Sequence, residues 1–308
     1  MKKSLKLKLG MSVASLALLA GALSTTTYAW FTTNAEAKVS NVKVNAEATS
    51  DSIYLSLDGT HFSNSVAITA DNVQLTAVSY NTDAYKKYTG NDTAAWSDVT
   101  EGKVTSTDGV SGTASQGAYL TFTIFFKTTA TTASDIVFDS TKTTFTNGEN
   151  NPFTLLADYG TTAKAGTVYS DGYLVNATRL AVTSYANGVA GATATTASEF
   201  GTATRAVYNT KDATHTAVDK GGAVTENNLA WNYYQAVMGT KTTTPVADGA
   251  KDIADTTVVA AKATSGNVYR ADFTFYVEGW DADCMDAILG QAVTMALSFK
   301  LASTSTSE

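Results

Sequence analysis

Side chains able to carry out acid–base or metal chemistry are few in this sequence and lie far apart. Its only histidines are His61 and His215, and its only cysteine is Cys284. His61 follows the Asp58-Gly59 turn, His215 lies in a polar stretch, and the chain holds neither a GxSxG nor an HExxH motif. Two isolated histidines do not supply the usual three ligands of a catalytic zinc without carboxylates. We therefore predict no catalytic residue, no zinc site and no enzyme activity.

The acidic stretch DADCMD offers three further carboxylates, Asp281, Asp283 and Asp286. It lacks the twelve-residue loop with its glycine and terminal glutamate that an EF-hand uses for calcium. Helix capping explains these acids more simply, so we predict no metal site there, and Cys284 is interpreted as a small buried hydrophobe. Oxygen ligands elsewhere are plentiful, so calcium binding stays open. A glycine-rich phosphate loop is missing from the sequence, and no cofactor is predicted.

Aromatic residues cluster in the stretch YNTDAYKKYTGNDTAAW, which contains Tyr80, Tyr85, Tyr88 and Trp96. Exposed aromatic rings of this kind can form a platform for sugars, and the cluster is one candidate ligand surface. The alternative is structural, with the same rings covering one end of a β-sandwich. The sequence favours the structural interpretation and leaves both open.

Strict alternation of apolar and polar residues predicts the elements that must position these side chains. The stretches AYLTFTIFFK, RADFTFYVEG, QAVTMALSFKLA and DSIYLSLDG each place their large apolar residues on one face. In the third of them Thr294, Ser298 and Lys300 are expected to face water. Asp-Gly and Asn-Gly pairs separate many of the strands, as in hairpins. The fold is predicted to be all-β, a jelly-roll-like antiparallel β-sandwich with one or two short helices and an N-terminal signal helix.

The two short helices are expected within Leu229–Met238 and between Asp281 and Gly290, where capping residues and a closing glycine bracket each stretch. The Thr- and Ala-rich segment from Tyr185 to Arg205 is expected to be a long surface loop or a weak edge hairpin. No change of composition marks a domain boundary, so residues 51–308 are predicted to form a single β-sandwich domain with long loops.

Residues 1–29 have the three parts of a secretory signal peptide. Four lysines precede an apolar run of about a dozen residues, and Ala29 then offers a small residue for cleavage before Trp30. The run is short for a membrane span, although an uncleaved anchor is the alternative. Cleavage would remove four of the 21 basic residues and leave the mature chain with 17 against 28 acidic ones, which is a net charge of −11. Such a charge argues against nucleic acid as a partner.

The mature segment 30–50 begins with Trp30-Phe31 and continues into the strand-forming KVSNVKVNAEA. A basic start, a short Ala/Leu/Gly-rich core, a Thr-rich approach, TYAWF and then VSNVKVNAEA together resemble the TasA and camelysin group. These are secreted Gram-positive proteins whose signals are cut by a SipW-type signal peptidase. The resemblance covers about the first fifty residues. It implies a jelly-roll fold, extracellular matrix or biofilm fibres, and a donated N-terminal strand.

Carried over residue by residue, the resemblance makes Ala29 the end of the signal and Trp30 the first mature residue. It also makes Trp30, Phe31, Val39, Val42 and Val44 the residues of the assembly strand. Burying a Trp and a Phe in a groove would contribute roughly 1.5–3 kcal/mol each, which offsets the entropy lost when a free terminus docks. The sequence leaves open whether this strand pairs within its own chain or with a neighbour.

The first functional hypothesis is thus a secreted, non-enzymatic fibre subunit that forms homo-oligomers or filaments in the matrix or at the cell surface. A carbohydrate- or host-binding adhesin that uses the Tyr80–Trp96 cluster is the alternative. A hydrolase is the third hypothesis and the least supported, because the ligand set for the metallopeptidase label that the family has carried is missing.

Overall fold

Strands with one strongly apolar face make up most of the described chain. The computed structural model describes residues 37–46, 52–81, 83–88, 96–147, 153–154, 166, 168–169, 173–191, 196–210, 249–279 and 291–302. The signal segment 1–29 and both helices predicted near 229–238 and 281–290 lie outside these residues.

The first strands in chain order are β1 (Ala37–Ala46), β2 (Ile53–Ser56), β3 (Ser65–Thr69), β4 (Gln74–Leu75), β5 (Ala77–Asn81), β6 (Ala84–Tyr88), β7 (Trp96–Asp98), β8 (Glu101–Ser106), β9 (Ser111–Ala114) and β10 (Tyr119–Thr128). The later strands are β11 (Ser134–Phe138), β12 (Thr144–Asn147), β13 (Phe153–Thr154), β14 (Val168–Tyr169), β15 (Thr178–Tyr185), β16 (Val189–Ala190), β17 (Ala203–Asn209), β18 (Lys251–Asp252), β19 (Val258–Ala263), β20 (Asn267–Glu278) and β21 (Ala292–Leu301). The described helices are α1 (Tyr173–Ala177) and a 3₁₀ helix (Ala197–Phe200).

Sheet 1 is built around the first and last of these strands. β1 runs parallel to β21 along one edge, and along its other edge it runs antiparallel to β3 and β4. β9 and β8 extend the sheet beyond β3. On the far side, β11 and β12 lie beside β21, and β19 lies beside β11.

Sheet 2 has the antiparallel order β10, β20, β15, β17. The free edge of β10 is partly covered by β8 at one end and β2 at the other. β5 joins the end of β20 and continues into the hairpin of β6 and β7. Because β8 pairs with strands of both sheets, it forms a corner between the two layers.

The core lies between the two sheets, where aromatic rings from one layer meet those of the other. Phe126 of sheet 2 lies 5.1 Å from Phe299 of sheet 1, ring centre to ring centre, and Phe145 lies 6.2 Å from Phe275. The alternating residues of β10, β20 and β21 that face this core are buried as the sequence predicts: Leu120, Phe122, Ile124, Phe126, Phe273, Phe275, Val277, Val293, Met295, Leu297 and Phe299. The all-β prediction is confirmed, and the jelly-roll topology stays a prediction.

Among the described strands, five pairs are parallel, which differs from the expected antiparallel pattern: β1–β21, β10–β8, β17–β18, β20–β5 and β3–β9. Alternation reports which face of a strand is buried and carries no information about the direction of its neighbour. The segment after Tyr185 is an edge hairpin, in which β17 pairs with β15 over seven residues.

One expected surface position is buried. Ser298 is 4 % exposed, because the turn between β11 and β12 folds over it. The Asp139 backbone N–H donates to the Ser298 carbonyl at 2.8 Å, and the Ser298 N–H donates to Thr143 Oγ1 at 3.1 Å. The prediction that Ser298 faces water is therefore wrong, since alternation alone does not show what covers the outer face.

Candidate assembly strand and ligand surfaces

Strand β1 is the part of the predicted assembly segment that the structure describes. Val42 lies opposite Met295 on one side and Ile68 on the other, and Val44 lies between Leu297 and Val66 in the same way. Both valines are at most 1 % exposed. With both edges paired and its apolar face in the core, β1 is a fully integrated strand of sheet 1.

A one-residue irregularity explains how Val39 can share a face with Val42 despite their odd spacing. Val39 pairs with Val293 and Asn41 pairs with Thr294, so Ser40 is an extra residue in β1. Such a bulge shifts the alternation by one position. Val39 and Ala37 are consequently fully buried together with Val42, whereas an unbroken alternation would have turned them outward.

The remaining predicted residues of this segment precede the described strand. Ala29, Trp30 and Phe31 lie outside the described residues, and their roles in cleavage and docking stay predictions. The structure places Val39, Val42 and Val44 together on the inner face of β1, where the strand runs beside β21.

Two of the four predicted ligand-surface aromatics meet over the outer face of sheet 2. Tyr80 and Tyr85 pack edge to face with ring centres 5.1 Å apart, and Tyr85 also contacts Tyr119 and Tyr276 at 4.8 and 4.7 Å. Tyr85 is only 9 % exposed. Most of its surface is thus used within the protein, where it fastens strand β6 and its paired neighbours β5 and β7 onto sheet 2.

Arg205 ties this aromatic cluster to β17. Its guanidinium lies 3.9 Å from the centre of the Tyr80 ring, and its Nη2 donates to the Tyr85 hydroxyl at 2.7 Å. Burial raises the pKa of Tyr85, and the positive charge of Arg205 only partly opposes this rise. A ligand at this surface would meet Tyr80 and Arg205 before it met Tyr85.

Tyr88 and Trp96 lie directly opposite each other where β6 pairs with β7. Their side chains lie outside the described residues, so their part in a sugar platform stays a prediction.

A polar network that the sequence did not indicate lies in a groove of about 440 Å³ on the outer face of sheet 2. Arg270 donates hydrogen bonds to both carboxylate oxygens of Asp272, from Nε at 2.9 Å and from Nη2 at 3.1 Å. Thr123 and Tyr185 each donate a hydroxyl hydrogen bond to Asp272 at 2.6 Å. Cross-strand register brings the four side chains together, and register is not readable from local sequence.

The network satisfies Asp272 completely. A carboxylate offers about four lone-pair positions, and these four hydrogen bonds fill them. Burial and the hydrogen bond to Asp272 raise the pKa of Tyr185 to about 12. Asp272 therefore has no acceptor left for a substrate proton, and the arrangement joins β10, β15 and β20 as a structural clamp.

His61, the one histidine in the described residues, belongs to a tight turn. Its Nδ1 lies 2.7 Å from Asp58 Oδ2 and 3.0 Å from Thr60 Oγ1. A catalytic triad uses both ring nitrogens, one toward the acid and one toward the nucleophile, whereas here the same nitrogen makes both contacts. Burial alone would raise the pKa of Asp58, but hydrogen bonds from His61, Thr60 and Ser56 outweigh it and lower that pKa well below its usual value.

His215, Cys284 and the acidic residues Asp281, Asp283 and Asp286 lie outside the described residues. Within the part of the chain that the structure describes, no three His, Cys, Asp or Glu side chains are grouped closely enough to hold a metal ion. None of the helices described there has the length and apolarity needed to cross a bilayer.

Comparison with known proteins gives this chain no relative. No protein-family model, no curated protein and no solved structure matches it.

Proposed function

We propose that this chain is a secreted, non-enzymatic structural protein that assembles into filaments of an extracellular matrix or biofilm. In this proposal a signal peptidase cuts after Ala29, and β1 of one copy fills the slot in sheet 1 of the next copy. The observation that carries the proposal is the position of β1. It is the first described strand, it lies between β21 and the β3–β4 edge, and its inner face is completely buried.

The place of β1 in the chain makes exchange topologically simple. A strand near one end of a chain can leave its slot and enter the slot of another copy without threading the rest of the fold. Six residues separate Ala46 of β1 from Ile53 of β2. They span at most about 20 Å when extended, so a donated strand would reach only a directly adjacent copy.

The contacts of a donated β1 would be the same as those of a β1 that stays in its own chain. Pairing within the chain has the advantage of a high effective concentration, so a dilute monomer is expected to close on itself. Exchange between copies would be favoured where concentration is high or where chains fold side by side after export. The intrachain strand is then the closed form of the same interface.

Electron microscopy and size-exclusion chromatography of the correctly processed protein test this proposal. A chain that starts at Trp30 is expected to form filaments as its concentration rises, whereas a chain lacking residues 30–46 is not. Because the deletion empties a slot in the core, a synthetic peptide of residues 30–46 is added as a second arm. The peptide is expected to bind the deleted chain and to restore its resistance to heat.

Filaments that form equally well without residues 30–46 would contradict strand donation. A strictly monomeric processed protein at millimolar concentration would contradict the proposed assembly itself.

A further inference from the structure

A second groove lies where the β6 strand passes over the segments that lead into β5 and β10. It has a volume of about 410 Å³, within the range of sites that hold one small ligand. Its walls carry amide, hydroxyl and ammonium groups rather than large apolar side chains: Gln74, Thr76, Lys87, Val99, Thr100, Gln116, Gly117 and Ala118. We refer to it as the Lys87 groove.

Lys87 is the only charged residue among those that line this groove. It has the same parity along β6 as Tyr85, which is buried against sheet 2, so Lys87 also points inward. Its neighbour Lys86 has the opposite parity, and its ammonium lies 3.4 Å from Asp98. Among the described residues, no carboxylate comes within ion-pair distance of the Lys87 ammonium.

A half-buried ammonium that has no counter-ion among the described residues loses hydration that those residues do not replace. This burial lowers the pKa of Lys87. The Lys87 groove thus holds a positive charge that a ligand anion would stabilise.

The other polar groups that line the groove favour a ligand that carries oxygen atoms over an apolar ligand. Thr76 Oγ1 is buried and has no hydrogen-bond partner within the described part of the chain. Gln116 and Thr100 are exposed at the rim, where their side chains can reach a ligand. A body rich in hydroxyl groups would give each of these side chains both a donor and an acceptor.

The wall of the Lys87 groove is held by the backbone, so its shape exists before any ligand binds. The N–H groups of Gln74 and Thr76 donate to the carbonyls of Gly117 and Ala118 at 2.9 and 3.0 Å. Gly117 packs so tightly against Gly102 that an added Cβ would lie 2.0 Å from its nitrogen. A preformed wall lowers the entropy that binding must overcome.

We propose that the Lys87 groove binds an acidic sugar, with the carboxylate of a uronic acid at the Lys87 ammonium and its hydroxyls at Gln74, Gln116 and Thr100. Lys87 lies on β6, the strand that also carries Tyr85 and pairs with the β5 strand of Tyr80. Binding in the Lys87 groove would depend on the Lys87 ammonium rather than on these aromatic rings. It is independent of strand exchange, since β1 does not line it.

Calorimetric titration of the processed protein with galacturonate, galactose and acetate tests the assignment. Galacturonate is expected to bind saturably. Galactose is expected to bind at least ten-fold more weakly because it lacks the charge, and acetate at least ten-fold more weakly because it lacks the hydroxyls. Lys87→Gln is expected to weaken galacturonate binding at least ten-fold. Lys86→Gln, which removes the same charge from the neighbouring outward position, is expected to leave it unchanged.

Gln116→Ala provides a second variant at an exposed position, where folding is not at stake, and it is expected to weaken galacturonate several-fold while leaving acetate unaffected. Equal affinity for acetate and galacturonate would overturn the sugar assignment and leave only a simple anion site. Unchanged binding in Lys87→Gln, with its circular dichroism spectrum preserved, would overturn the site altogether.

Discussion

Among single residues, Lys300 joins two loops through ion pairs with Asp139 and Asp255, and we call this arrangement the Lys300 clasp. Its ammonium lies 2.7 Å from Asp255 and 3.9 Å from Asp139. The hydrogen bonds from Lys300 and from the N–H and hydroxyl of Ser140 hold the pKa of Asp255 at about 2. For Asp139, burial acts in the opposite direction, but hydrogen bonds from Thr141 and the nearby Lys300 outweigh it and lower the pKa.

Because of this clasp, we expect the free energy of unfolding to fall in acid. Because the pKa of folded Asp255 is depressed below the unfolded value of about 3.9, its contribution is fully present above pH 4. That contribution disappears as the pH falls from about 4 to about 2. Urea unfolding at a series of pH values is expected to show a smaller fall in the free energy of unfolding over this window for Asp255→Asn than for the unmodified chain.

Asp71 is a suitable control, since it is an exposed carboxylate on the turn before β4. Asp71→Asn is expected to leave the pH dependence unchanged. If Asp255→Asn and Asp71→Asn gave the same profile as the unmodified chain, the clasp would contribute nothing to folding.

At the scale of elements, β1 is predicted to contribute through its buried face alone. Val44→Thr keeps the shape of the side chain but buries a hydroxyl between Leu297 and Val66, at a cost of about 1–3 kcal/mol. Lys43 is the adjacent, exposed residue, and Lys43→Thr is expected to change the free energy of unfolding by less than about 0.5 kcal/mol. Equal effects of the two variants, measured by urea unfolding, would show that β1 is not held in the core.

The bulge at Ser40 makes a prediction about deletions. Removing Ser40 leaves Val39 next to Asn41, which restores simple alternation with Val39 and Val42 both inward. The deletion is therefore expected to be tolerated, with a change of roughly 1 kcal/mol or less in the free energy of unfolding. Removing Lys43 instead turns Val42 outward and is expected to cost more than about 3 kcal/mol, because buried valines are lost from the core.

Thermal unfolding of the two deletion variants, side by side, checks this prediction. A Ser40 deletion as damaging as the Lys43 deletion would mean that the bulge is required for some other reason, such as the entry of the chain into β1.

At the scale of the whole molecule, local sequence predicted the faces of strands better than their partners. The inner residues of β10, such as Phe122 and Phe126, follow directly from alternation. Alternation did not indicate that Phe125 on the opposite face is also buried, since Phe200 of the 3₁₀ helix covers it from a distant part of the sequence. The burial of such outer residues depends on which loop returns over the sheet.

The surfaces proposed to take part in assembly and binding show the same division. The family resemblance implies Val39, Val42 and Val44 as residues of the assembly strand, and the structure brings all three to one face. Arg205 and Lys87 have no local signature in the sequence, because each is a lone cation. Their environments arise from strand register, which places Arg205 against Tyr80 and turns Lys87 into a groove. Long-range pairing, such as that of β1 with β21, decides these contacts.

Cysteine cross-linking across the β1–β3 pair tests whether β1 completes the sheet of another copy. Lys43 and Ala67 are exposed and lie directly opposite each other, close enough for a disulfide. Lys43→Cys and Ala67→Cys are placed in separate chains that also carry Cys284→Ser, and the two chains are mixed, assembled and oxidised. We predict that the filaments contain disulfide-linked dimers of one Lys43→Cys chain with one Ala67→Cys chain. Filaments free of such dimers, in conditions where a chain carrying both substitutions closes its own disulfide, would contradict the claim.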